Sequence, residues 1–296
     1  MPLHRRQTLA FAALVLGAVA MGASPLFVRL ADVGPYASAF WRTFLALPFF
    51  AVWARAEGRS MRDVEVWRNG AVWLAGLFFV GDLFFWHLSI FATTIANATF
   101  LATTAPIWVA IGAWLVLGEV IGRRILLGLL LCLLGGAALV GQTYGFAPQR
   151  LLGDIFGLIT AIFFGAYILA IRGARRQIGA GSLAFVSTAI TALCLFVIAY
   201  LLEPTLLPHS KGGAAALLAL AIVSQVGGQG LLAVALGTLP ATFSSLVIFL
   251  EAIAAAALAW IVLGETLGLV QIGGGLLILF GIWVARPQSP APGTAL

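Results

Sequence analysis

Asp82 stands in the middle of the apolar stretch LFFVGDLFFWHL, with no basic residue one helical turn away. A charged side chain at the centre of a membrane helix costs about 2.5 to 3.5 kcal/mol on insertion scales, so it is kept only where it does something. As a cavity-lining carboxylate, Asp82 binds a substrate amine or carries a proton; the alternative is a packing hydrogen bond to a neighbouring helix. His87 follows five residues later, about 7.5 Å along a helix and rotated by about 140°. The two side chains therefore do not share a face, which argues against a His-Asp dyad. His87 is a candidate substrate ligand or an interfacial residue beside Trp86. Phe78, Phe79, Trp86 and Ser89 do fall on the face of Asp82 by helical spacing. That aromatic face suits a ring-bearing substrate or ordinary lipid contact.

Six more polar positions lie within apolar runs. Arg42 can hold a carboxylate by a bidentate pair, or extend its head to the membrane surface; its position near one end of its run favours the second. Asn97 can aim a hydrogen bond at a ligand or tie helices together. Gln225 and Gln229 are four residues apart and share a face, while Glu251 lies near the middle of its run with Ser244 two turns back. These three form a candidate polar lining, or a set of interhelical bonds. Tyr167 can cap a site with hydroxyl and ring, or pack.

What must position these residues follows from composition. The chain has 296 residues, 62% of them apolar and only 9% charged, with a mean hydropathy of +1.10, against roughly 25% charge in a soluble domain. It reads as an integral membrane protein. Cys132 and Cys194 both sit in apolar runs, which leaves no disulfide framework and no cysteine metal site. The net charge of +6 comes from basic residues scattered in short clusters between apolar segments, a topological pattern that does not point to nucleic acid.

A bilayer core about 30 Å thick needs roughly 20 apolar residues per helical crossing. Breaks at charges, Pro and Gly clusters give ten such spans, beginning near residues 9, 36, 70, 95, 122, 153, 182, 213, 241 and 268. The first resembles a secretory signal, with His4-Arg5-Arg6 before an apolar run and Ala18-Val19-Ala20 as a cleavage site. The run continues through Pro25 to Val28, however, and has an internal counterpart, so a retained span is expected.

That counterpart belongs to a repeat. A shift of 146 residues pairs Trp114 with Trp260, Leu117-Gly118-Glu119 with Leu263-Gly264-Glu265, Gly128 with Gly274 and Gly135 with Gly281. Near the starts of the halves, GASPLFVR at 22–29 resembles GAYILAIR at 165–172. The chain divides into residues 1–148 and 149–296, each with five spans. Five is odd, so the second repeat enters the membrane from the opposite side and the repeats are inverted. With the N-terminus inside, twelve of the sixteen basic residues face the cytoplasm, as the positive-inside rule requires. The expected fold is an all-α polytopic membrane protein of ten transmembrane helices in two inverted five-helix repeats, both termini cytoplasmic.

Inverted repeats occur in many secondary transporters, where the substrate site lies near the midplane and access alternates. The ten-span layout, the doubled Leu-Gly-Glu and the segment ANATFLATTAPIWVAIGAWLVLGE at 96–119 resemble the drug/metabolite transporter superfamily, EamA branch, over essentially the whole chain. The resemblance implies a carrier of small molecules in the bacterial inner membrane, often an exporter of amino acids, with aromatic and neutral amino acids the nearest parallel. A drug extruder and an uncoupled facilitator are the alternatives. The family commonly has Pro where this chain has Ala252 after Glu251, which implies that span nine is straighter than span four with its Pro106.

Pro25 and Pro106 each remove a backbone hydrogen bond, so spans one and four are expected to kink beside the pathway or its gate. A membrane enzyme is the remote alternative: the histidines are His4, His87 and His209, and no zincin, serine-elbow or phosphate-loop pattern occurs. No cofactor, metal or nucleic acid is expected. The expected partners are a small-molecule substrate and membrane lipid, and a monomer suffices in principle. Glu119 and Glu265 are each expected to serve the N-terminus of the helix that follows them.

Overall fold

The computed structural model describes residues 3–58, 63–140, 148–263 and 268–286. Every regular element among them is helical, the outcome expected where no water is present to satisfy backbone groups. Nine of the described helices are long and apolar enough to cross a membrane. Span one is Arg5–Leu30, span two Pro35–Ala56, span three Gly70–Ala92, span four Ile95–Leu117 and span five Arg123–Val140. Span six is Pro148–Ala174, span seven Ala180–Leu202, span eight Lys211–Leu236 and span nine Ala241–Val262. A tenth apolar helix, Leu269–Ala285, has 17 residues. Leu16, Leu193, Leu201 and Leu276 point outward, while Arg42, Asp82 and Gln225 are buried. That distribution reverses the soluble-protein rule and marks a lipid-facing surface around a polar interior.

The two repeats interlock. Span three packs along span six, one along eight, two along seven, four against nine and five along ten. Each of these pairs takes one helix from each repeat. The five–ten pair shows why glycine is needed: a Cβ on Gly135 would lie 2.6 Å from the carbonyl oxygen of Gly274, and one on Gly274 equally close to that of Gly135. One turn-pair further along, a Cβ on Gly128 would lie 2.7 Å from the Gly281 carbonyl oxygen, and one on Gly281 2.9 Å from that of Gly128. The 146-residue shift converts one contact into the other, the reciprocity that two-fold symmetry imposes.

Carboxylates cross-link the repeats by the same symmetry. Glu57, at the end of span two, accepts backbone N–H bonds from Gly181 at 2.9 Å and Ser182 at 3.4 Å, the first turn of span seven. Its counterpart Glu203, at the end of span seven, accepts from Tyr36 at 2.6 Å and Ala37 at 3.1 Å, the first turn of span two. Each places negative charge on the orphan donors of a helix N-terminus.

Glu119 follows this pattern, and the expectation that it serves span five is corrected. Its carboxylate accepts from the backbone N–H of Ala241 at 3.0 Å and Thr242 at 3.3 Å, and from the Thr242 hydroxyl at 3.0 Å. Two local causes direct it to span nine. Gly118 takes the left-handed conformation, φ +66, and turns the chain away; Pro240 holds the N-cap of span nine and makes no side-chain cap. Gly264 and Glu265 of the second Leu-Gly-Glu lie outside the described residues, as do Arg59 and Arg62, two of the twelve basic residues expected to face the cytoplasm.

Several spans are broken near mid-length. Span one stops at Met21 and resumes at Ser24, span four stops at Ala102 and resumes at Ala105, each with a proline in the first turn of its second piece. Span two is interrupted between Phe44 and Leu47, before Pro48. Span nine breaks as well, between Val247 and Leu250, which corrects the expectation of a straighter helix. Proline is not required there. The Ser245 hydroxyl donates to the Thr242 carbonyl, and the backbone tightens to three-residue bonds from Ile248 to Ser245 and from Phe249 to Leu246. Short hydroxyl side chains compete for helix carbonyls and loosen the turn.

Candidate substrate site

The breaks in spans one, four and nine open onto one cavity. Met21 and Ser24 flank the first break, Ala102 and Thr103 the second, and Ile248 and Glu251 the third, and all six line it. The other lining residues are Arg42 from span two, Asp82, Leu83 and Trp86 from span three, Thr160 and Phe164 from span six, and Gln229 from span eight. Both repeats therefore contribute. The space among them is about 30 Å³, room for about two waters.

Arg42 does not reach for the membrane surface. It is 4% exposed, its Nε–H donates to Gln225 Oε1 at 3.0 Å, and its guanidinium carbon lies 5.9 Å from the Phe79 ring centroid and 5.7 Å from that of Trp86. Cation–π contact and a side-chain amide replace the water a guanidinium would otherwise keep. Gln225 reaches Arg42 because span eight packs against span two, and the two rings reach it because span three does. Phe79 is backed by Tyr167, stacked at 4.5 Å between centroids. Tyr167 thus supports the ring that faces Arg42 and is not among the cavity-lining residues.

Gln225 and Gln229 sit on a stretch of π-helix, Leu220–Gln229. Such wide turns are uncommon and cluster at functional sites. Gln225 is committed to Arg42, whereas Gln229 places Nε2 3.3 Å from the Met21 sulfur and leaves its Oε1 without a partner. Among the described residues, no side chain or backbone group forms a hydrogen bond or ion pair with the carboxylates of Asp82 or Glu251.

Other sequence candidates lie away from the cavity. His87 is fully buried, its Nδ1 2.7 Å from the Leu83 carbonyl; the N–H is assigned to Nδ1 because a carbonyl only accepts. Asn97 donates to Asp154 Oδ1 at 3.1 Å, and the Thr93 hydroxyl donates to the same oxygen at 2.8 Å. That cluster joins spans three, four and six near their ends. Ser89 donates to the Gly153 carbonyl at 2.8 Å. Phe78, Pro25 and Pro106 do not line the cavity, and the prolines act through the helix breaks that follow from them.

Sequence reasoning missed Met21, Ser24, Thr103, Thr160, Phe164 and Ile248. Their residue types are common in membrane helices, so no composition signal marks them. It also missed Glu57 and Glu203, for which a signal existed: they are related by the same 146-residue shift as the doubled Leu-Gly-Glu.

Ten apolar helices in two interlocked inverted repeats, with a buried charged cavity between them, define a membrane transporter of the drug/metabolite type. The sequence matches the EamA-like transporter family twice, over residues 8–141 and 151–286, and the chain belongs to that family. A solved structure titled only "Crystal structure of protein" is similar to it, with a TM-score of 0.79 and 19% identity, covering 95% of this chain and 97% of that one. At that identity the likeness shows the fold alone. Among curated proteins no match is found.

Proposed function

We propose that this chain is a secondary transporter that exports small metabolites, amino acids foremost, across the bacterial inner membrane by alternating access. One observation carries the reading: Arg42, Asp82 and Glu251 meet in a buried cavity bounded by helices of both repeats. Ionisable groups at membrane depth are costly and mark substrate pathways. A guanidinium pairs with a carboxylate and a carboxylate with an ammonium, and an amino acid presents both.

A cavity of about 30 Å³ is far below the roughly 300 Å³ or more of ligand pockets. Substrate entry therefore goes with separation of the helices, and the breaks in spans one, four and nine supply the points that yield. On the side assigned to the cytoplasm, opening requires Glu119 to release span nine.

Counterflow in proteoliposomes tests the reading, with labelled tryptophan, threonine, lysine and a cationic dye as probes. Trans-stimulation by an amino acid is the expected result. Exchange of the dye alone would make the chain a drug extruder, and a compound that equilibrates without ever accumulating against an imposed gradient would make it a facilitator. No exchange of any probe would sink the proposal.

A further inference from the structure

We propose that the central cavity selects for positive charge: its ligand carries at least one more cationic centre than anionic ones, and Glu251 sets that requirement. The proposal rests on the reading of this cavity as the transport site. A dibasic amino acid is the member of the class that also satisfies Arg42, and a diamine is the member that does without it.

The charged side chains lining the cavity are one guanidinium, Arg42, and two carboxylates, Asp82 and Glu251. The guanidinium already has company, in the amide oxygen of Gln225 at 3.0 Å and the rings of Phe79 and Trp86. The carboxylates have no donor among the described residues. A carboxylate withdrawn from water needs a cation, hydrogen-bond donors or a proton in exchange; Asp82 is buried and Glu251 half-buried. Gln229 Oε1 leans the same way, since it is buried without a partner and can only accept.

No neighbouring group makes up the deficit. His87 holds its N–H against the Leu83 carbonyl and stands outside the lining. Tyr167 is stacked behind Phe79. A neutral amino acid would set its carboxylate on Arg42 and its ammonium on one acid, leaving the other acid unmatched unless it holds a proton. A second cationic centre, at the end of a lysine- or arginine-like side chain, completes the set. Asp82 comes from span three of the first repeat and Glu251 from span nine of the second, so a ligand with two cationic ends would bridge the repeats.

The test is counterflow in proteoliposomes of the full-length chain, wild type and Glu251→Gln, with labelled lysine, arginine, putrescine, threonine and tryptophan. Wild type should exchange the cations at least tenfold faster than the two neutral amino acids. Glu251→Gln should lower cation exchange at least tenfold and raise exchange of the neutral amino acids, a gain that a misfolded variant cannot give. Three results overturn the proposal: neutral amino acids exchanged as fast as cations by wild type, with or without an accompanying proton; unchanged selectivity in Glu251→Gln; or no exchange of any cation. The first would leave the amino-acid reading standing. Putrescine exchange without any amino acid would support selection for positive charge while ending the amino-acid reading.

Discussion

At the scale of the residue, Arg42 carries most of the information. Its side chain is fixed at three places, by the Gln225 amide and by the faces of Phe79 and Trp86, and this fixing suits the planar guanidinium in a way an ammonium does not reproduce. Arg42→Lys keeps the charge and loses the Nε bond and the ring contacts. Transport efficiency in counterflow should fall about tenfold, the equivalent of about 1.4 kcal/mol, with the protein still eluting as a folded particle in detergent. An unchanged rate in a folded Arg42→Lys protein would mean that the residue only packs. The sequence exposed Arg42 as a charge within an apolar run but gave the wrong direction for its head. Depth along one helix favours the surface, and the partners that hold it inward come from other helices: Phe79 and Trp86 of span three, and Gln225, 183 positions further along the chain.

Helix ends and helix breaks decide the next scale. Glu119 supplies the cap that Pro240 cannot, and a missing cap typically costs about 1 kcal/mol. Glu119→Ala should lower the midpoint of thermal unfolding by about 2 to 4 °C, the shift such a loss gives, measured by fluorescence in detergent. Adding Pro240→Ser to that variant should recover most of the loss, because serine at the N-cap accepts from the same turn by itself. A double variant no more stable than the single one would show that the carboxylate stabilises by another route, such as its 3.8 Å approach to Arg172. Breaks in spans one and four were readable from Pro25 and Pro106. The break in span nine was not, because serine–carbonyl bonds and three-residue turns do there what proline does in span four, and serine is far too common to signal it. The π-helical stretch of span eight was hidden for a similar reason: its Gly227-Gly228 pair permits such a turn and does not demand it.

For the whole molecule, interlocking changes what can move. Since each main packing pair joins one helix of each repeat, the repeats cannot rock against each other as separate halves; any moving body is assembled from both. Inversion also fixes which loops share a side. If both termini are cytoplasmic, as proposed, the end of span two faces inward and the loop after span seven faces outward. In a background with Cys132 and Cys194 replaced, His209→Cys should react with a membrane-impermeant maleimide in intact cells. Arg55→Cys should react only after permeabilisation, and the reverse pattern would turn the topology over.

The sequence alone determined the number of spans, their length and the inversion. These follow from quantities that every residue reports locally: hydropathy over about 20 positions, charge between spans, and a fixed repeat shift. It also directed the search for a site to membrane depth, since carboxylates such as Asp82 and Glu251 are rarely tolerated there without use. Tertiary structure decided which of those groups meet. Arg42, Asp82 and Glu251 share a cavity while His87 and Asn97 do not, because the crossing of spans from opposite repeats sets the direction of each side chain, and no single helix records where its neighbours from the other repeat will stand.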